Sequence, residues 1–320
     1  MNTVCSVVVP MYNEEDVLME TYRRLTHVLK NSGLEYEIVF INDGSSDKTG
    51  QLLREICDTD TRVKLIDFSR NFGHQIAITA GMDYSSGECI VVIDGDLQDP
   101  PELIPEMVKK WREGYDVVYG KRVSRKGESF FKRATAAFFY RFLRSMTDVN
   151  MPVDTGDFRL IDARVRDALK HVNERNRYIR GLVSWLGFKQ TSIEFERDER
   201  FAGETKYPLK KMLKLAADGI TSFSYKPLKL ASYIGTIISI SSFLYLIYVL
   251  AQRIFFPETV QAGWASILAV SLFFNGITLL MLGIIGEYIG RIYDEAKGRP
   301  LYIIRETRNL HDNKQPLTRE

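Results

Sequence analysis

The stretch VVIDGDLQDPPE, residues Val91 to Glu102, closes an apolar run with three carboxylates, Asp94, Asp96 and Asp99. On an extended chain, residues two apart face the same way. Asp94 and Asp96 are therefore expected at one spot, where like charges repel unless a cation lies between them. Oxygen ligands suit a hard ion such as Mg²⁺ or Mn²⁺, and Gln98 can add a carbonyl oxygen. No His–Cys cluster competes for zinc. An ion held by so few protein groups keeps positions open for substrate phosphates, so the pattern points to a metal carrying a diphosphate.

Such a site needs a frame. Apolar runs at Cys5–Pro10, Tyr36–Asp43, Val63–Ser69, Cys89–Asp96 and Asp116–Arg122 read as strands. Between them lie amphipathic helical patterns such as EEDVLMETYRRLTHVLKNSG and PPELIPEMVKKWREG, the latter with Pro near its start and Gly at its end. Solidly apolar strands separated by helices imply a parallel sheet covered on both faces, an open, Rossmann-like α/β domain. In such sheets ligands bind outside the carboxyl ends of the strands, and those ends carry PMYNEE, NDGSSD, SRNFGH, DGDLQD and GKR. His74, at a strand-to-helix turn, reads either as a donor to phosphates beside a helix N-terminus or as a capping and packing residue. His27, His171 and His311 stand outside any motif. The G-x-G-x-x-G and G-x-x-x-x-G-K-[ST] patterns are absent, so neither an NAD enzyme nor a P-loop ATPase is indicated.

With 320 residues, 45% hydrophobic and 26% charged, the chain has the composition of one large or two smaller globular units, and its net charge of +2 selects no partner. Cys5, Cys57 and Cys89 lack metal-type spacing and read as reduced, buried thiols. Met1 leads almost directly into a strand, so no signal peptide is expected. The last third differs. Leu228–Phe255 and Trp264–Gly290 are apolar and each longer than the roughly 20 residues that cross a bilayer core as a helix. The short connector FPETVQAG places both chain ends on one side. Lys226, Lys229, Arg291, Lys297 and Arg299 mark that side as cytoplasmic. Arg253, near the far end, can snorkel, and Glu287 is expected at the interface. Lys121–Arg144 holds eight Lys or Arg against one acid, interleaved with aromatics. Phe130–Met146, and likewise Tyr207–Lys229, read as amphipathic helices at an anionic membrane surface. Two membrane spans argue against a nucleic-acid partner.

Taken together, VVVPMYNEE, NDGSSD, DGDLQDPPE and ERFAGETKY resemble the family 2 glycosyltransferases with the GT-A fold, and among them the polyprenyl-phosphate sugar transferases, over nearly the whole chain. Thr205-Lys206 stands where relatives often show Ser-Lys, which keeps a hydroxyl. The resemblance implies a mixed sheet with helices on both faces, interfacial amphipathic helices and a C-terminal two-helix transmembrane hairpin. It implies a cytoplasmic GT-A domain over 1–206, an interfacial juxtamembrane helix over 207–229, two transmembrane helices within 230–290 and a cytoplasmic tail over 291–320. Of that tail, LYIIRE looks strand-like and the end is polar.

By the same resemblance, Pro10, Tyr12, Glu14 and Asp43 form the nucleotide pocket, with Asp43 accepting from base or ribose. Asp94, Asp96 and Gln98 hold Mg²⁺ or Mn²⁺ and the diphosphate. Arg122 and Arg133 hold the acceptor phosphate. Arg200 and Lys206 belong to a loop that closes on the donor. Asp157, in DTGDFRL, resembles the base of the reaction; an alternative reading makes it the partner of an arginine. The implied activity is inverting transfer of a hexose from a nucleotide diphosphate sugar to polyprenyl (undecaprenyl) phosphate at the cytoplasmic membrane face. UDP-glucose is favoured, N-acetylglucosamine is next, and mannose from a GDP donor follows. A lipid monophosphate is already anionic near neutral pH, with a second pKa of about 6, and needs little deprotonation. The resemblance also implies a membrane homo-oligomer and a separate flippase that turns the lipid-linked product outward for the cell envelope. A processive polysaccharide synthase would carry Q-x-x-R-W, which RGLVSWLG does not supply. A non-catalytic scaffold would show a degraded metal site.

Overall fold

The computed structural model describes residues 4–122, 155–196, 226–255 and 263–310. Among the described residues, seven strands and six α-helices precede the long helices. They are β1 (Cys5–Met11), α1 (Leu18–Asn31), β2 (Tyr36–Asn42), α2 (Thr49–Thr59), β3 (Val63–Phe68), α3 (His74–Tyr84), β4 (Cys89–Val92), α4 (Ile104–Arg112), β5 (Val117–Arg122), β6 (Thr155–Asp162), α5 (Ala163–Lys170), α6 (Ile179–Trp185) and β7 (Gln190–Phe195). Two long helices follow, α7 (Lys226–Phe255) and α8 (Trp264–Ala296), and then β8 (Ile304–Arg308).

The sheet has eight strands in the order β7-β5-β6-β4-β1-β2-β3-β8. β4, β1, β2 and β3 run parallel. β6 lies antiparallel between β4 and β5, and β8 closes the other edge antiparallel to β3. The sheet is thus mixed, as the resemblance implies. Both its faces are apolar because both are covered. Val7, Val9, Phe40, Leu65 and Val91 pack with Leu18, Leu25, Leu53 and Met107 of α1, α2 and α4. Val8, Ile41, Ile66 and Val92 pack with Ile78, Val165 and Leu182 of α3, α5 and α6. On α1 the buried positions Leu18, Thr21, Leu25, Val28 and Leu29 recur at helical spacing. Each such side chain fully withdrawn from water contributes about 1.5–3 kcal/mol.

The five strands expected from the sequence are present, but β4 stops at Val92, so the extended-chain argument that put Asp94 and Asp96 on one face fails. The reason lies in the neighbours. β1 pairs with β4 only as far as Val8↔Val92, while it follows β2 on to Met11↔Asn42. The two directions part at this switch point, and beyond Ile93, whose N–H still reaches the Val8 carbonyl at 3.1 Å, no strand pairing keeps the chain extended.

α7 and α8 span 30 and 33 residues, or roughly 45–50 Å at 1.5 Å per residue. Among the described residues, Phe273–Ala296 is long and apolar enough to cross a membrane. Large apolar side chains such as Ile237, Phe243 and Leu244 on α7, and Phe273, Leu279 and Leu282 on α8, are exposed. After α8 the chain returns to the domain. Tyr302 stacks on Phe68 with ring centroids 5.3 Å apart, and its hydroxyl donates to Asp83 at 3.1 Å. Arg54 bridges Asp67 and Glu306 at 3.1 and 3.0 Å. Arg175 donates its backbone N–H to Glu295 at 2.7 Å. The strand-like tail is therefore part of the sheet. The amphipathic segments expected at 130–146 and over most of 207–229 lie outside the described residues.

Candidate active site

In a doubly wound sheet the crevice opens where neighbouring strands connect in opposite directions, here above β1 and β4. Pro10 lies in the wholly buried strand β1, which ends at Met11, and Tyr12 just beyond it is 44% exposed. The loop after β1 is sewn to the loop after β2. Asn13 accepts from the Ser46 N–H at 2.8 Å, Glu15 accepts from the Lys48 N–H at 2.9 Å, and the Glu14 N–H reaches the Thr49 hydroxyl at 3.0 Å. Asp43, only 3% exposed, accepts from the backbone N–H groups of Phe72 at 2.7 Å and Gly73 at 3.0 Å. Burial pushes its carboxyl above the usual range, against the pull of those amides. Its oxygens thus fix the loop after β3: Oδ1 takes both N–H groups, while Oδ2 takes only that of Gly73 and keeps a second lone pair for a ligand.

Gly44 makes that contact possible. Its φ is +66°, and a Cβ there would overlap the backbone of Arg70 and Asn71. Since both the φ and the space exclude a side chain, Gly44→Ala is expected to displace the SRNFG loop. It should weaken nucleotide binding at least tenfold and lower the unfolding midpoint; calorimetry with a nucleoside diphosphate and a thermal scan check both.

The carboxylate loop is tightly seated. A Cβ on Gly95 would run into Met11 Sδ, and the Gly95 carbonyl accepts from the Thr21 hydroxyl of α1 at 3.0 Å. Asp96 accepts from the Gln98 N–H at 3.2 Å. Leu97 between them has φ +58°, a conformation that costs a side-chain-bearing residue about 1–3 kcal/mol and collects at functional sites.

A row of alternating charges meets this loop. Arg180, at the start of α6, donates from Nε to Asp157 Oδ1 at 2.9 Å and from Nη2 to Oδ2 at 3.3 Å. His74 Nε2 lies 3.1 Å from Asp157 Oδ2 and 3.4 Å from Asp94 Oδ1. Gln75 Nε2 also donates to Asp157 Oδ2, at 3.2 Å. Burial alone would push the His74 imidazole down, but Asp94 and Asp157 outweigh it and raise it to about 9. Burial likewise disfavours the Asp157 carboxylate, yet His74 and Arg180 hold it well below the usual range. Beneath them, burial lowers the Arg159 guanidinium to about 10.

Of the expected site residues, the described structure brings Asp94 and Asp157 together and sets Asp96 and Gln98 on the adjoining turn. It places Pro10 near the end of β1, and Tyr12, Glu14 and Asp43 on the loops after β1 and β2. Arg133, Arg200, Lys206 and the Arg122 side chain lie outside the described residues. Sequence reasoning missed Arg180 and Gln75 and left His74 open. No local pattern marks Arg180, because its partner Asp157 sits 23 positions earlier and His74 more than 80 before that. His74, Asp94 and Asp157 each offer a ligand atom, all within 4.8 Å of one another. Within this set the Asp94 carboxylate has the hard oxygen that suits a divalent ion, while the His74 and Asp157 atoms are hydrogen-bonded to each other.

A doubly wound sheet opens its ligand crevice at this switch point, and carboxylates gather there. The model of Glycosyl transferase family 2 matches residues 6–169, and that of the GtrB C-terminal hairpin matches 226–292. The chain is 61% identical to the uncharacterized glycosyltransferase YkcC of Bacillus subtilis, covering 97% of this chain and 95% of that one. It is 47% identical to the uncharacterized glycosyltransferase sll0501 of Synechocystis, over 95% of each. With the bactoprenol glucosyl transferase of Shigella phage SfII it shares 40% identity, over 94% of this chain and 97% of the other. The chain belongs to glycosyl transferase family 2 and is a glycosyltransferase.

Proposed function

We propose that the chain transfers glucose from UDP-glucose to undecaprenyl phosphate, with inversion, at the cytoplasmic face of the membrane. The observation that carries this reading is the 40% identity, over nearly the full length, to a bactoprenol glucosyl transferase. The apolar hairpin supports a lipid acceptor. β8 follows α8 and joins the same sheet as β1, so the chain that leaves the domain after residue 196 is back by residue 304. If α8 crosses the bilayer, an even number of crossings requires a second, and the 30-residue α7 supplies it.

In this reading Tyr12 and Asp43 take the base and ribose, and the N-terminus of α3 faces the donor phosphates. Asp94, Asp96 and Gln98 would hold Mg²⁺ or Mn²⁺. When bound, such an ion neutralises charge on the departing nucleoside diphosphate. Arg122 and Arg133 would hold the lipid phosphate, and Arg200 with Lys206 would cover the donor. The test is a transfer assay on the purified chain with undecaprenyl phosphate, Mg²⁺ or Mn²⁺ and labelled UDP- and GDP-sugars. Label from UDP-glucose is expected in the organic phase, and EDTA is expected to stop it. No transfer of any sugar under either metal would overturn the reading.

A further inference from the structure

Asp157 has no acceptor site left for a proton from substrate. A carboxylate offers about four lone-pair positions. Four donors fill them: Arg180 Nε on Oδ1, and Arg180 Nη2, Gln75 Nε2 and His74 Nε2 on Oδ2. The same contacts fix Arg180. Its Nη1 donates to the Thr155 carbonyl at 2.8 Å, and the N–H of the preceding Ile179 donates to Gln75 Oε1 at 2.9 Å. The start of α6 is thereby pinned against the start of α3. Three of the five guanidinium N–H groups have partners in these contacts, which leaves two. The side chain is 28% exposed, so those two can meet a ligand.

We propose that Arg180 is a catalytic residue that contacts an anionic phosphate of the substrates, and that Asp157 is the positioning residue that aims it. This deepens the reading of the chain as a lipid-phosphate glycosyltransferase and rests on it. A planar, permanently charged fork suits a phosphate oxygen pair, and Asp157 holds that fork in one orientation at the edge of the crevice. The phosphate belongs either to the donor diphosphate or to the acceptor lipid, and binding constants separate the two.

The experiment compares the full-length protein with Arg180→Ala, Arg180→Lys, Asp157→Asn and the Arg180→Ala/Asp157→Asn double variant in the lipid transfer assay. UDP binding is measured alongside by calorimetry. Arg180→Ala is expected to lower kcat/KM about 100-fold, with partial recovery on adding guanidinium. A rise in lipid KM with unchanged UDP affinity assigns the contact to the acceptor; weaker UDP binding assigns it to the donor. The double variant is expected to be no worse than the worse single one, because the two residues act as a unit. Should Arg180→Ala fail to fold, Arg180→Lys keeps the charge and loses the fork, and about a tenfold loss is expected. Arg180→Lys at the wild-type rate would overturn the proposal, as would Arg180→Ala within threefold of wild type while Asp157→Asn is dead. Absence of transfer by the wild type under every condition removes the functional reading itself, and this inference with it.

Discussion

Replacing Asp96 by Asn is expected to lower sugar transfer at least 100-fold while leaving the unfolding midpoint within a few degrees of wild type. The two halves of that expectation have separate causes. Asparagine keeps an oxygen where Asp96 accepts the Gln98 N–H, so the turn carrying Leu97 at φ +58° retains its bond. The substitution removes one negative charge from the loop that, in the proposed function, faces a divalent ion and a diphosphate. Taking away a single preorganised electrostatic contact at a developing charge costs about 10²–10³-fold in rate. Label transferred to the organic phase, followed across a Mn²⁺ titration, measures the loss. Partial recovery at high metal would trace the defect to ion binding. Full activity at ordinary metal concentrations would remove Asp96 from the metal site and leave that role to Asp94 and Gln98.

The parts of the fold that the sequence made legible are those whose physics is local. β1 to β5 read as strands because a parallel strand covered on both faces must be apolar throughout, and CSVVVP, YEIVFIN and CIVV are. β6, β7 and β8 were harder. TGDFRLID carries Asp157 and Arg159 in a strand that is almost wholly buried, and such charges ordinarily speak against burial. They are tolerated because Arg180, His74 and Gln75 reach Asp157 from two helices. QTSIEF and IRETR are edge strands, where polar residues protect the open ladder, so neither has a strong apolar signature. The carboxylates of DGDLQD were legible as a cluster at a strand end, but their geometry was not. Whether Asp94 and Asp96 face one way depends on where β1 parts from β4, which is a property of the sheet order. The charge row from Arg180 to Asp94 depends on contacts across more than 80 positions, and one sequence encodes no distance between them.

Removing the Glu37 carboxylate is expected to be among the most destabilising single changes in the described domain, with no direct effect on the chemistry. Glu37 lies near the start of β2, at the end of the strand opposite the site, and is 3% exposed. It accepts from the Ser6 hydroxyl at 2.5 Å and from the Ser86 N–H and hydroxyl, each at 2.7 Å, and it pairs with Lys64 of β3. Burial raises its carboxyl, but Lys64, Ser6 and Ser86 together pull it below its ordinary value. A carboxyl lowered on folding contributes stability that is fully present above its unfolded pKa of about 4.3. That contribution is lost as pH falls through the lower, folded value. Glu37→Gln leaves Lys64 buried without its counter-charge, which costs about 3–5 kcal/mol. At roughly 2–4 °C per kcal/mol for a domain of this size, the midpoint of the full-length protein should fall by about 10 °C at pH 7. The gap between variant and wild type should shrink in acid, since protonating Glu37 imposes the same loss on the wild type. A gap unchanged at pH values well below the folded carboxyl would mean that Lys64 reaches solvent unaided. Well below its own midpoint, Glu37→Gln should transfer sugar at the wild-type rate, because β2 carries the damage at one end and Asp43 at the other.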